Sequence, residues 1–230
     1  MIQAVVFDMD GVLFDTERLY ATAWRESAKE YPIDADLDDL IIRSVGLNHT
    51  DTRLLFAEVL GEDFPFDEYT RFIGGRFRAL VEKELPVKDG VYEILRWLSE
   101  EKIPTALATS TSRESAVSHL KRAGIFPFFD QIVTGDMVEH SKPAPDIYLI
   151  ACDALKIPPA ACIAVEDSPN GIRSAYAAGM LPVMVPDQIA PTEELRAMLF
   201  REFPSLTALL AFLKEQQRQG ELKKWAKKGW

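Results

Sequence analysis

Short apolar, β-branched runs recur along the 230-residue chain at Ala4–Phe7, Thr105–Ala108, Gln131–Val133, Cys162–Val165 and Leu181–Val185. Their length and lack of polar alternation read as strands buried on both faces. Between the last four lie segments of helical spacing, such as Arg113 to Ala123 stopped by Gly124, and Asp146 to Leu155 ahead of Pro158 and Pro159. A strand–helix–strand repeat of this kind folds as α/β, a doubly wound parallel sheet with a Rossmann-like core. The first strand breaks the repeat, because residues 16 to 84 carry only helical patterns, at Glu17–Lys29, Leu37–Val45, Asp51–Leu60 and Asp67–Glu84. The expected organisation is a catalytic core from 1–15 and 85–230, interrupted by an inserted all-helical cap domain at 16–84. Turn-rich edges at Phe14 to Glu17 and Leu85 to Gly90 read as hinges.

Charge narrows the function classes. The formal net charge is −10 and the pI about 4.9, which argues against nucleic acid, whose phosphates are held by clustered Lys and Arg. An anionic ligand must therefore be held by local positive charge, from a metal ion or convergent N–H groups. Cys152 and Cys162 are the only cysteines and form no CxxC pair, so two reduced, buried thiols and a cytoplasmic location are expected. The run before Asp8 is too short for a signal-peptide core, and no stretch reaches transmembrane length. The segment from Glu215 to Trp230 mixes Lys223, Lys224, Lys227 and Lys228 with Trp225 and Trp230. It reads as a frayed tail rather than a membrane-surface helix. No membrane partner is expected, and the oligomeric state is expected to be a monomer or weak dimer.

In an open α/β sheet, ligands collect beyond the carboxyl ends of the strands. The residues there are Asp8 and Asp10, then Ser110 and Thr111, then Lys142, then Glu166 and Asp167. Two carboxylates two residues apart repel unless a cation sits between them. Alone, Asp8-Met9-Asp10-Gly11 also reads as a turn, and it departs from a calcium loop because Gly11 is fourth and Leu19 twelfth. Glu166-Asp167 alone likewise leads into turn chemistry at Ser168-Pro169-Asn170-Gly171. Together the two pairs describe a hard, oxygen-ligated site for Mg²⁺. Ser110 reads either as part of a helix start before Arg113 or as an anion cradle there. Lys142, between Ser141 and Pro143, reads either as a solvated lysine or as the ammonium for a phosphoryl group.

Four segments in this order resemble the signature of the haloacid dehalogenase-like hydrolases that carry a helical cap. They are Phe7-Asp8-Met9-Asp10-Gly11-Val12 with Asp15-Thr16-Glu17, Ala108-Thr109-Ser110, Ser141-Lys142-Pro143-Ala144-Pro145 and Val165-Glu166-Asp167-Ser168. The resemblance implies that Asp8 forms an aspartyl-phosphate while Asp10 acts as acid and then base. It implies a Mg²⁺ ion held by Asp8, the Asp10 carbonyl and Asp167, with Glu166 near or in the ligand shell. Ser110, Thr111 and Lys142 would bind the transferring phosphoryl of a small phosphorylated metabolite.

The nearest branch resembles β-phosphoglucomutase-like proteins, which include sugar-phosphate mutases and sugar-phosphate phosphatases. Where such mutases carry a histidine, a lysine and an arginine, this chain has Tyr20, Val45 and His49. These departures favour hydrolysis, since a mutase must keep water from its aspartyl-phosphate. A phosphosugar mutase is the alternative, and a binding protein that retains the pocket is a third reading. Thr16, Tyr20, Gly46, His49, Arg53, Arg76 and Arg113 are the candidate substrate contacts, each weighed against a solvated or merely structural role.

Overall fold

The computed structural model describes residues 1–31, 33–44, 49–187 and 189–222. It divides the chain into two compact units, Met1–Phe14 with the chain from Val87 onward, and Asp15–Pro86.

The first unit is built on a six-stranded sheet: β1 (Ala4–Phe7), β2 (Thr105–Thr109), β3 (Gln131–Thr134), β4 (Cys162–Glu166), β5 (Leu181–Met184) and β6 (Arg201–Glu202). The order is β3-β2-β1-β4-β5-β6, and every pair is parallel. β1 is central because its four residues AVVF are buried on both faces, which only an interior strand permits. Val6 pairs with Ala106 on one side and Ala164 on the other, so the carboxyl ends of β1, β2 and β4 lie at the same edge of the sheet. Side chains alternate across the sheet. Ala4, Val6, Ala106, Ala108 and Ala164 pack on one face with Ile147, Tyr148, Ala151 and Cys152 of α7 (Asp146–Leu155). On the other face Phe7 meets Phe129 edge-on, with ring centres 6.5 Å apart. The small alanines let α7 lie close to β2 and β3. Cys152 and Cys162 are buried free thiols.

The second unit holds α1 (Thr16–Ser27), α2 (Leu37–Ser44), α3 (His49–Leu60) and α4 (Phe66–Lys83). Its core is aromatic: Trp24, Phe56, Phe66 and Tyr69 are buried together, with Phe56 within 5.2–5.8 Å of the other three ring centres. Trp24 Nε1 and Tyr69 Oη are buried with no hydrogen-bond partner among the described residues.

The structure departs from the sequence reading at several places. α1 and α3 begin one and two residues earlier than expected. The chain from Glu215 is not a frayed tail up to Leu222, because Glu215–Arg218 form the last turn of α10 (Leu206–Arg218) and Ile2 N–H donates to the Glu221 carbonyl at 2.8 Å. Trp225, Trp230 and the four tail lysines lie outside the described residues. The sequence reading names no helix at α5 (Val91–Glu100), α8 (Pro169–Ala177) or α9 (Glu193–Met198), and expects α6 (Arg113–Arg122) to run one residue further, to Ala123. α6 otherwise matches, whereas Pro169-Asn170-Gly171, read as a turn, starts α8: Pro169 takes the first helical position, where its missing N–H costs nothing, and the Ser168 hydroxyl accepts from Gly171 N–H at 3.1 Å. β6, two exposed charged residues, carries no apolar signal.

Because the Tyr69 hydroxyl makes no bond that repays its burial, Tyr69→Phe is predicted to leave the urea midpoint unchanged or raise it. Phe56→Ala in the same cluster should cost roughly 3–5 kcal/mol. A loss above about 1 kcal/mol for Tyr69→Phe would contradict the unpartnered hydroxyl.

Candidate active site

These strand ends bring four segments to one place. Asp8 follows β1 directly, and its N–H donates to the Val165 carbonyl at 2.9 Å, which extends the sheet pairing by one residue. The loop after it turns back sharply: Leu13 and Phe14 N–H groups donate to the Met9 carbonyl at 2.8 and 3.1 Å, and Gly11 N–H to the Phe14 carbonyl at 2.9 Å. Gly11 has φ +76°, and a Cβ there would lie 2.0 Å from Asp167 Oδ2. Only glycine suits that position, and its absent side chain is what allows the β1 and β4 loops to meet.

Lys142 joins three elements. Its Nζ donates to Asp8 Oδ1 and to Glu166 Oε1, both at 2.7 Å, and to the Ala108 carbonyl at the end of β2 at 3.0 Å. The lysine reaches this point from a proline-rich loop that is held down by Ser174, whose hydroxyl donates to the Ala144 carbonyl at 2.6 Å. Glu166 is completely buried. Its Oε1 also accepts from Tyr148 Oη at 2.6 Å, and its Oε2 from Ser168 Oγ at 3.2 Å and Asp167 N–H at 3.3 Å. Gly171 makes room for it, since a Cβ at that position would fall 1.9–2.1 Å from the carboxylate.

The electrostatics follow from burial. Desolvation pushes the Asp8 carboxyl well above its ordinary range; Lys142 opposes this, while Glu166 and Asp10 add to it. Desolvation alone would lower Lys142, but the two carboxylates on its ammonium outweigh it and hold the lysine firmly charged. Burial, then Glu166, also raises the Tyr148 phenol, so it stays a donor. Asp8, Glu166 and Asp167 offer oxygens within 4.8 Å of one another. With Asp10 nearby, several carboxylates converge on one ammonium, and a hard divalent cation is the charge that such a set accommodates.

Ser110 is exposed beyond β2. Thr111, read as a phosphate contact, has both donors committed inside the protein: its N–H to Thr109 Oγ1 at 3.1 Å and its hydroxyl to Asp10 Oδ2 at 2.7 Å. The first N–H of α6, at Arg113, is taken by both oxygens of Asp136 at 3.2 Å, so a carboxylate already caps part of that helix terminus. The Thr134 hydroxyl, then that N–H, hold Asp136 below the usual carboxylate range. The Arg113 guanidinium lies on the Ile132 carbonyl and Met137 sulfur.

In the helical unit, Arg53 pairs with Asp67 and stacks on Phe66, and Arg76 stacks on Phe72. Both arginines thus have partners in their own unit. Tyr20 packs against Trp24 and Phe77, and Thr16 is buried at the start of α1. His49 is the first residue of α3. Gly46, and Val45 with it, lie outside the described residues. Tyr148, Ser168 and Gly171 escaped the sequence reading. Ser168 carries a signal, being Ser before Pro at a helix start, but Tyr148 looks like any core-facing aromatic.

The chain has relatives of known family. A family model for haloacid dehalogenase-like hydrolases matches residues 2–179. A phosphorylated carbohydrates phosphatase of Thermotoga maritima is 34% identical over 179 residues, covering 78% of this chain and 82% of that protein. A beta-phosphoglucomutase of Bacillus subtilis is 31% identical over 80% of this chain and 83% of its own length. A Thermotoga maritima crystal structure described as a candidate beta-phosphoglucomutase superposes with a TM-score of 0.76 at 31% identity, over 93% of this chain and 99% of that one. The chain belongs to the haloacid dehalogenase-like hydrolase family. Within the described residues no helix is long and apolar enough to cross a membrane.

Removing the shared ammonium leaves two buried carboxylates unpaired. Lys142→Met is therefore predicted to lower stability by roughly 3–5 kcal/mol. Arg43→Met, which breaks an exposed pair with Glu58, should cost no more than about 1 kcal/mol. Comparable losses for the two variants in urea titrations would contradict the central role of Lys142.

Proposed function

We propose that the chain is a Mg²⁺-dependent phosphatase that hydrolyses small phosphomonoesters, sugar phosphates foremost, by way of an aspartyl-phosphate on Asp8. The observation that carries this reading is the Asp8 carboxylate at the end of the central strand, with the Lys142 ammonium 2.7 Å from its Oδ1. The family membership and the phosphatase among the relatives support phosphomonoester hydrolysis.

In the first step an Asp8 oxygen attacks phosphorus, and the bond from phosphorus to the leaving oxygen breaks. Asp10 delivers a proton to that oxygen. In the second step Asp10 takes a proton from water, which attacks phosphorus and releases Asp8 as a carboxylate and the phosphoryl group as inorganic phosphate. Splitting the displacement in two lowers each barrier. Lys142, anchored by Glu166, and the Ser110 hydroxyl would balance charge on the phosphoryl oxygens. Asp8, Asp167 and the Asp10 backbone carbonyl would hold Mg²⁺, with Glu166 behind them. When bound, the ion supplies positive charge for the phosphoryl oxygens and neutralises the carboxylate set.

A phosphosugar mutase is the second reading, favoured by the beta-phosphoglucomutase among the relatives. It differs only in the acceptor, a sugar hydroxyl in place of water. Tyr20, packed among aromatic rings, replaces the histidine implied for a mutase, and this favours water.

Purified protein incubated with a panel of sugar phosphates should release inorganic phosphate. EDTA should stop the release and added Mg²⁺ restore it, and Asp8→Asn should abolish it while the protein stays folded. Turnover that survives EDTA or Asp8→Asn would rule the reading out. Conversion of β-glucose 1-phosphate to glucose 6-phosphate, rather than to glucose and phosphate, would assign the mutase instead.

A further inference from the structure

Asp10 is held from two directions. Its backbone belongs to the tight loop after β1, where Asp10 and Phe14 form an isolated bridge and Gly11 N–H closes onto the Phe14 carbonyl. That fixes the Cα but leaves the side-chain torsions to be set by whatever the carboxylate meets. One group that it meets is the Thr111 hydroxyl, 2.7 Å from Oδ2 and 101 positions away in sequence.

Thr111 is itself delivered by a rigid piece of backbone. Its N–H donates to the buried Thr109 hydroxyl at 3.1 Å, and its carbonyl accepts from Gly135 N–H at 3.1 Å. Gly135 is required there, because a Cβ would lie 2.2 Å from the Ser110 carbonyl oxygen. The β2 loop is thus pressed onto the end of β3, and its threonine hydroxyl donates to Asp10.

We infer that Thr111 is a positioning residue for Asp10, and that its hydroxyl orients the carboxyl which protonates the leaving oxygen. The chemistry is specific. A hydroxyl donating to Oδ2 favours that oxygen as acceptor, which biases the acidic proton toward Oδ1 and so fixes the face from which it is delivered. Acid catalysis depends on such placement within fractions of an ångström. This inference rests on the assignment of Asp10 as acid and base in the proposed phosphatase.

The test exploits leaving-group basicity. A sugar alkoxide needs a proton as it departs, whereas p-nitrophenolate departs without one. Steady-state kinetics of wild type, Thr111→Val and Thr111→Ser are measured with Mg²⁺ on the best sugar phosphate and on p-nitrophenyl phosphate, and melting curves confirm folding. Thr111→Val keeps the shape of the side chain and removes only the donor. Its kcat/KM on the sugar phosphate, which reports the steps through departure of the leaving oxygen and not the later hydrolysis of the aspartyl-phosphate, should fall about 10- to 100-fold. Its kcat/KM on p-nitrophenyl phosphate should stay within about threefold of wild type. Thr111→Ser should restore the sugar-phosphate value. Equal losses of kcat/KM on both esters would overturn the inference, since these mark a structural role or a phosphate contact. If Thr111→Val does not fold, Thr111→Ala with the same comparison decides. The underlying reading fails separately: wild type would then release no phosphate from either ester, or Asp10→Asn would hydrolyse the sugar phosphate as fast as wild type.

Discussion

The ammonium of Lys142 is the contact around which this site is organised. It lies 2.7 Å from Asp8 and 2.7 Å from Glu166 and also reaches the Ala108 carbonyl, so a single group ties β1, β2 and β4 together at their carboxyl ends. Each partner would be costly alone. A buried carboxylate without a countercharge protonates or destabilises the fold, and a buried lysine without carboxylates loses its proton. Held together, the ammonium stays charged and opposes the rise that burial imposes on the Asp8 carboxyl.

That cluster dictates features elsewhere in the unit. The strand ends must lie at one edge of the sheet, which the parallel register of β1 with both neighbours provides. The loops must approach more closely than side chains normally allow, which Gly11, Gly135 and Gly171 permit by leaving space at Asp167, Ser110 and Glu166. Glu166 must be completely satisfied to remain an anchor, and the Tyr148 and Ser168 hydroxyls complete its bonding. The alanine-rich face of the sheet, packed against α7, is what brings Tyr148 near enough to do so.

The architecture of the α/β unit was legible because buried parallel strands leave continuous apolar runs, and all five such runs became strands. β6 was not legible, since two charged edge residues produce no pattern. The start of α8 was misread because Pro-Asn-Gly has the composition of a turn, and only the Ser168 cap shows that the proline sits at the first helical position. Asp8, Lys142, Glu166 and Asp167 are singled out in the sequence by their places beyond strand ends, and the structure brings them together. The bond from the Thr111 hydroxyl to Asp10 is not legible, because sequence order says which loops meet and not which way a hydroxyl turns. Arg53 and Arg76 illustrate the same limit: each finds an aromatic ring or a carboxylate within its own unit, a choice made by packing that no motif encodes.

The central claim, that Asp8 itself takes the phosphoryl group, is tested most directly by stereochemistry at phosphorus. A sugar phosphorothioate made chiral at phosphorus with two oxygen isotopes is hydrolysed in water carrying the third, and the configuration of the released thiophosphate is determined. Transfer to Asp8 followed by transfer to water comprises two in-line displacements, so the account predicts net retention. Net inversion would mean that water attacks the ester directly, and would contradict it.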